Sequence, residues 1–484
     1  MPKSIFAVLF QILYGKQFCE KLSCTAMRKN IARWSNLLLL TFFANSIFAQ
    51  ADTSASGGGM NLLYALGVLV LFFVAMRFFG ADGLTKQSGK TIALKRGHDI
   101  HLNGEAAKTL IEGVRAKTFA VRPPDFFNIS PIPKVTVAVG DEVKAGDIIF
   151  FDKKKPEIKY AAPVSGEVIA VNRGEKRSIS EIVILADKEI TSRAYDGFDL
   201  AKSDRASLVN YLLESGVWPM LRQRPYNITP DPETVPVNIF VSTFDTAPLA
   251  PDLSFVVTGQ EDAFQKGLDV LAKLTSGKVH LGIDGRGGNV SNAFTQAKGV
   301  ELHTFSGKHP IGNVGVQIHH ISPVSNKAIA WTMGVQEVIT LGKLFLHQKF
   351  DATRIVAVAG ELKNPGYVIT YQGANVGDLT GENLKEGKMR LISGDVLSGK
   401  KKDKTQFLGY YDDQVSVIQE GEYFELFGWL LPQSKRPTVS KTYLGGFFSS
   451  KKVSVDTNTH GEKRAFVVTG EYEALLPMDI YPQH

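Results

Sequence analysis

Cysteine is nearly absent from this 484-residue chain: there are 2, Cys19 and Cys24, and none follows them. The remaining residues therefore cannot hold an iron–sulfur cluster, a cysteine-ligated zinc ion or a structural disulfide. No nucleophile–base pair or carboxylate pair stands at catalytic spacing; Asp412-Asp413 and Glu420–Glu425 read as solvated turns. The formal charge of +7 is spread along the chain. Without a massed basic patch or a recognisable RNA- or DNA-binding motif, nucleic acid is not an expected partner.

Long apolar runs are also scarce, and those present lie near the N-terminus. Leu37–Phe48 is apolar but short, with Arg28, Lys29 and Arg33 ahead of it and Ala49-Gln-Ala51 after it, the pattern of a secretory signal. Asn61–Phe79 is apolar all round and broken only by Arg77, which can snorkel from a helix end. About 20 residues of helix cover a ~30 Å hydrocarbon layer, so this run predicts a transmembrane helix. Arg77, Lys86, Lys90, Lys95 and Arg96 follow it, whereas only Asp52 separates the two runs. That asymmetry places the main body on the cytoplasmic side of the inner membrane.

The most informative stretch present is a half-repeat between Pro131 and Leu185. Its first half alternates apolar residues from Val135 up to the turns Gly140-Asp141 and Gly146-Asp147. Its second half opens with Ala162-Pro-Val-Ser-Gly166 and runs on to Gly174-Glu175. Period-two alternation broken by Gly-Asp turns predicts short hairpin strands. Two such halves face to face form a flattened barrel of the lipoyl/biotinyl type, a barrel-sandwich hybrid. The Lys153 loop lacks the E-A-M-K-M context of a carrier lysine, so it reads as an exposed basic loop.

Downstream, strands at Val237–Val241 and Val279–Ile283 enclose a helix marked by Phe264, Leu268, Leu271 and Leu274, the order of a doubly wound α/β domain. The turn Asp284-Gly-Arg-Gly-Gly288 lacks both G-x-G-x-x-G and G-x-x-x-x-G-K-S/T, so no nucleotide site is expected there. From Arg354, a strand, a Pro-Gly turn, a second strand and a helix start near Val376 describe a β-grasp of the soluble-ligand-binding kind. The expected chain is thus an α+β and α/β multidomain protein. It divides into a signal-like segment (1–51), a membrane span (52–80), a linker with an N-terminal strand region (81–130) and the barrel (131–190). The α/β domain (191–345), the β-grasp (346–405) and a β-rich C-terminal region (406–484) follow.

Several motifs occur in one order: Lys95-Arg-Gly-His-Asp-Ile100, Gly140-Asp-Glu-Val-Lys-Ala-Gly146, Phe151-Asp-Lys-Lys-Lys-Pro156, Phe305-Ser-Gly-Lys-His-Pro310, Gly342-Lys-Leu-Phe-Leu346 and Glu425-Leu-Phe-Gly-Trp429. Through them the region Thr91–Tyr481 resembles the A-subunit family of the bacterial sodium-pumping NADH:quinone oxidoreductases. The resemblance implies a peripheral subunit beside the integral quinone and flavin subunits of a membrane complex. That complex passes electrons from NADH through FAD, FMN and an iron–sulfur centre to ubiquinone or menaquinone, and exports Na+. It further implies a fold like that of the flavin-binding subunit of respiratory NADH dehydrogenase, with no cofactor in this subunit. The family's soluble subunit does not generally need a membrane anchor, so the N-terminal segment is an addition. Family members also continue past the position of Tyr481 into a helical tail, so 406–484 reads as truncated.

Phe119, Phe126 and Phe127 flank Val121-Arg-Pro-Pro-Asp125, an apolar slot with one carboxylate that suits a quinone ring. His309 and His319 could hydrogen-bond a quinone carbonyl and deliver a proton near neutral pH. These six residues, Asp125 included, are the candidate quinone contacts. Two rival readings are an envelope scaffold of the polysaccharide-export type, which the basic flank after Phe79 disfavours, and a ferredoxin-paired electron-transport subunit, which would need cluster cysteines.

Overall fold

The computed structural model describes residues 89–130, 132–325, 328–426, 452–460 and 470–480. The expected signal and the membrane span at 61–79 lie outside the described residues. Among the described residues no helix is long and apolar enough to cross a membrane.

The half-repeat folds into barrel strands, and Thr118–Val121, ahead of it in the sequence, joins them. Thr118–Val121, Ile179–Ala186, Gly166–Arg173 and Glu142–Val143 make one sheet, and Lys134–Val135, Ile148–Phe151 and Lys159–Ala161 make the facing one. Gly140 and Gly146 turn the chain with φ of 96° and 95°, a region that residues with a Cβ avoid. The inner faces bury Ile149, Phe150, Val164, Val168, Ile182 and Ile184 almost completely.

The α/β domain is a six-stranded sheet in the order Thr91–Ala93, Glu301–Ser306, Lys278–Asp284, Asn238–Ser242, Ala330–Thr332, Arg222–Arg224. The first five run parallel and the last is antiparallel. Its central strands are continuous apolar runs, as sheets covered on both faces require. The helices Glu261–Leu274 and Val335–His347 pack together at glycine contacts. A Cβ on Gly342 would lie 1.7 Å from the Ala263 carbonyl oxygen, and one on Gly267 would lie 2.1 Å from that of Val338. Thr91–Ala93, in the region expected to be strand-like, supplies an edge strand to a sheet otherwise built after the barrel.

The β-grasp sheet has the order Gly366–Tyr371, Thr353–Gly360, Gln414–Gln419, Met389–Ser393, Lys400–Lys402. Asn375 caps the helix Val376–Thr380 by accepting from the Asp378 N–H at 2.9 Å. Gln414–Gln419 pairs in parallel with Thr353–Gly360 at the centre of this sheet, so the domain extends past residue 405. Only a central, doubly paired position satisfies both edges of so apolar a strand.

Candidate functional site

Barrel, α/β domain and β-grasp meet around one aromatic cluster. Phe126, 2% exposed, leaves the short turn Pro123–Asp125 and points into it. Its ring centroid lies 4.5 Å from those of Tyr160 and Tyr410 and 6.0 Å from that of Tyr411, and Tyr160 stacks on Phe150 at 4.5 Å. The partners come from three elements: Phe150 and Tyr160 from two barrel strands, and Tyr410 and Tyr411 from the loop before Gln414–Gln419. The Arg222 guanidinium, from the α/β edge strand, sits 4.7 Å over the Tyr411 ring. The Tyr411 hydroxyl donates to the Pro219 carbonyl at 2.6 Å. Burial raises the pKa of Tyr160, Tyr410 and Tyr411, so all three remain neutral phenols.

Asp125 secures this arrangement. Its Oδ2 accepts from the Tyr410 N–H at 3.1 Å and its Oδ1 from Arg122 Nη1 at 3.4 Å. Beside it the barrel strand Thr118–Val121 is stitched to the β-grasp: the Ala120 N–H donates to the Gly373 carbonyl at 2.9 Å, and that of Asn375 to the Thr118 carbonyl at 3.1 Å. Phe119 lies in this seam, 2% exposed and edge-on to Tyr371 at 5.9 Å.

Below the cluster a buried ionic group crosses from the α/β domain to the β-grasp. Arg354 Nη2 donates to Glu337 Oε1 at 2.7 Å, and Arg354 Nη1 lies 3.7 Å from Asp413 Oδ1. One cation, 2% exposed, faces two carboxylates, Glu337 at 4% and Asp413 at 18% exposure. Burial, opposed by Arg354 and reinforced by Glu337, pushes the Asp413 carboxyl up to about 7. The expectation of a solvated turn at Asp412-Asp413 is therefore corrected: Asp412 accepts from Ser393 Oγ at 2.5 Å, and Asp413 Oδ1 is buried. Glu420 is no free turn residue either. Its carboxylate pairs with Arg390 at 2.8 Å and Lys401 at 3.2 Å, and the Arg390 hydrogen bond foremost pulls it down to about 2.

Phe127 differs from Phe126. It is 53% exposed and bridges Ile228 in the segment that follows Arg222–Arg224. Tyr226, in the same segment, is 77% exposed. In this segment and the strand paired with it, Arg222 Nε and Trp331 Nε1 are buried donors without hydrogen-bond partners, and Gln223 Oε1 and Asn227 Oδ1 are buried acceptors without them. Gln223 and Trp331 are direct neighbours across the sheet edge.

The structure brings Phe119, Asp125, Phe126 and Phe127 to this junction. His309 and His319 stand elsewhere on the α/β domain. His309 shares a 3.0 Å hydrogen bond between its Nδ1 and Thr246 Oγ1, and its N–H donates to Asp99 Oδ1 at 2.8 Å. His319, on the helix Val314–Ile321, lies edge-on to His320 at 5.0 Å. Sequence reasoning missed Tyr160, Tyr410, Tyr411, Arg222 and Tyr226, which come from three domains; the pair Tyr410-Tyr411 ahead of a strand was the one available signal. The glycine turn after Lys278–Asp284 closes on itself, with Arg286 forked onto Asp284 at 2.8 and 3.0 Å.

Three family models match in succession: the NqrA N-terminal barrel-sandwich hybrid domain over residues 92–187, the NqrA second alpha/beta domain over 203–350, and the NQRA C-terminal domain over 355–404. The A-subunit of the Na(+)-translocating NADH-quinone reductase of Yersinia pestis is 39% identical over 397 residues, covering 81% of this chain and 88% of that protein. The chain belongs to this NqrA family. The Saccharophagus degradans relative of the same name is also 39% identical, and that of Vibrio campbellii 37%, each over 81% of this chain and 87% of its own length. A solved NAD+-reducing NiFe-hydrogenase in the air-oxidized state reaches a TM-score of only 0.32, at 12% identity over 48% of this chain and 52% of that one. Family membership makes the chain part of an oxidoreductase complex, and the matched barrel-sandwich hybrid and α/β domains agree with the expected multidomain fold class.

Proposed function

We propose that this NqrA chain lends the reductase one wall of its quinone site, formed by Phe127 and Tyr226 over the Arg222–Trp331 rim, with Phe119, Asp125 and Phe126 holding that wall in place. The observation that carries this reading is two exposed aromatic rings, Phe127 bridged to Ile228 and Tyr226 in the same segment, beside a strand edge that holds buried, unpartnered donors and acceptors. A quinone ring asks for stacking area and a donor for each carbonyl, and little else. His309 and His319 stand elsewhere on the α/β domain and form no part of this wall.

The redox groups, FAD, FMN and an iron–sulfur centre, are assigned to partner subunits, because the chain has no cysteine after Cys24 and no dinucleotide fingerprint in its α/β turn. The main body is assigned to the cytoplasmic face of the inner membrane, beside the integral subunits, on the strength of the basic flank after residue 79. In the assembled reductase, Phe127→Ala combined with Tyr226→Ala is expected to raise the quinone KM about tenfold, the worth of two lost stacking contacts. NADH-driven flavin reduction should be unchanged. An unaltered quinone KM in a complex of normal composition would remove these rings from the site.

A further inference from the structure

At the opposite end of the α/β sheet from the glycine turn, three potential ligands converge. His280 and Glu301 are direct partners in the ladder between Lys278–Asp284 and Glu301–Ser306, and His303 lies two residues beyond Glu301. Period two puts Glu301 and His303 on one face, and the register brings His280 onto the same face. His280 Nδ1 is 2.9 Å from His303 Nε2 and 3.4 Å from Glu301 Oε2, and the His303 Nε2 to Glu301 Oε2 separation is 3.9 Å. A tetrahedral ion with bonds of about 2.0–2.1 Å needs ligand atoms roughly 3.3 Å apart, and these three edges bracket that value.

We propose that His280, Glu301 and His303 form a mononuclear site for a divalent transition-metal ion of the zinc class. Two imidazoles and one carboxylate suit such ions better than the hard cations, which take oxygen ligands. The surroundings fit the assignment. Glu301 offers Oε2 to the histidines while its other oxygen, Oε1, is held by Lys278, the outer contact that orients a ligating carboxylate. His280 stacks on Phe240 at 4.7 Å, which fixes its ring. A cavity of about 520 Å³, lined by Lys90, Asn238, Lys278, Ile321 and Ser322, opens beside the three residues and leaves the fourth coordination position to water or a small ligand. Burial foremost, with His303 beside it, holds His280 near a pKa of about 4, and burial lowers that of His303 as well, so both rings keep the neutral form that ligates.

Metal entry changes two hydrogen bonds. His303 Nδ1 accepts from the Lys90 N–H at 3.0 Å, so the ring's own hydrogen is on Nε2 and is shared with His280. The metal takes that position, the hydrogen passes to Nδ1 with no net proton released, and the Lys90 N–H loses its acceptor. Occupancy is thereby coupled to the residue that leads into the edge strand Thr91–Ala93.

The test uses the full-length chain, stripped with chelator and free of any histidine tag, titrated with Co2+. One equivalent is expected to give a visible d–d band that Zn2+ abolishes. His303→Ala should lose the band, and Glu301→Gln, at a side chain 25% exposed, should weaken binding at least about tenfold, the low end found even for indirect partners of a metal. X-ray absorption on the zinc-loaded wild-type chain, which needs no variant, should show two imidazole ligands. Absence of one-equivalent binding, a band unchanged in both variants, or a zinc shell without imidazole would each overturn the site.

Discussion

Arg354→Ala is expected to lower the unfolding free energy of the chain by about 3–5 kcal/mol, as breaking a buried ion pair does elsewhere. The Arg354 side chain is 2% exposed and that of Glu337 is 4% exposed. Removing the guanidinium leaves Glu337 with no counter-charge where water cannot replace it. The loss also falls on a domain junction. Glu337 belongs to the helix Val335–His347 of the α/β domain and Arg354 to the first β-grasp strand, and the two domains meet again where Gln336 exchanges hydrogen bonds of 2.8 and 3.0 Å with the Ile355 backbone. Urea unfolding of the full chain measures the effect. Replacing Arg354 by Met together with Glu337 by Leu and Asp413 by Asn should recover most of the stability, because no buried charge is then left alone. A single substitution costing less than about 1 kcal/mol, the range of surface pairs, would show that the group is solvated.

Asp413→Asn is expected to act in the opposite direction at alkaline pH. One guanidinium cannot hold two buried carboxylates fully charged, and the folded-state pKa of Asp413, about 7, lies above its unfolded value of 3.8. A carboxyl raised in this way favours the fold when protonated. That contribution is fully present below about pH 4 and is lost as pH rises through 7, with a cost on the order of 3–4 kcal/mol by pH 8. Asparagine keeps the neutral shape and removes the cost. The variant should therefore match wild type near pH 4 and unfold at a higher temperature near pH 8. Glu337, Arg354, Gln336 and Asp412 act on the same carboxyl and remain in both proteins. Parallel melting curves for the two proteins across this window would show that Asp413 is ionised throughout.

Much of the architecture is legible locally. Gly140-Asp141 and Gly146-Asp147 announce barrel turns because few residues other than glycine accept their φ, and Asn238–Ser242 declares a central strand by being apolar on both faces. What stays hidden depends on distant pairing. Thr91–Ala93 is strand-like in itself, but nothing near it in the sequence names Glu301–Ser306 as its partner. Asp412-Asp413 has the composition of a surface turn, and nothing nearby reveals that Arg354 and Ser393 will bury it. The candidate quinone wall was half visible. Phe126 and Phe127 stand out as neighbours, but only the fold sends one inward to Tyr160 and Tyr410 and the other out beside Tyr226. His280 and the Glu301-Leu-His303 triplet escaped for a similar reason: the triplet alternates as any strand does, and its meaning comes from the register that sets His280 opposite Glu301.

The central claim is that Phe127 and Tyr226 are where quinone meets this chain. Photolabelling of the intact reductase with a short-chain quinone bearing a photoreactive group, followed by peptide mapping, tests it most directly. Label is expected in peptides spanning Phe126–Phe127 and Arg222–Ile228, with protection by excess unlabelled quinone. Protectable label confined to other subunits, or to the His309–His319 face of this one, would contradict it.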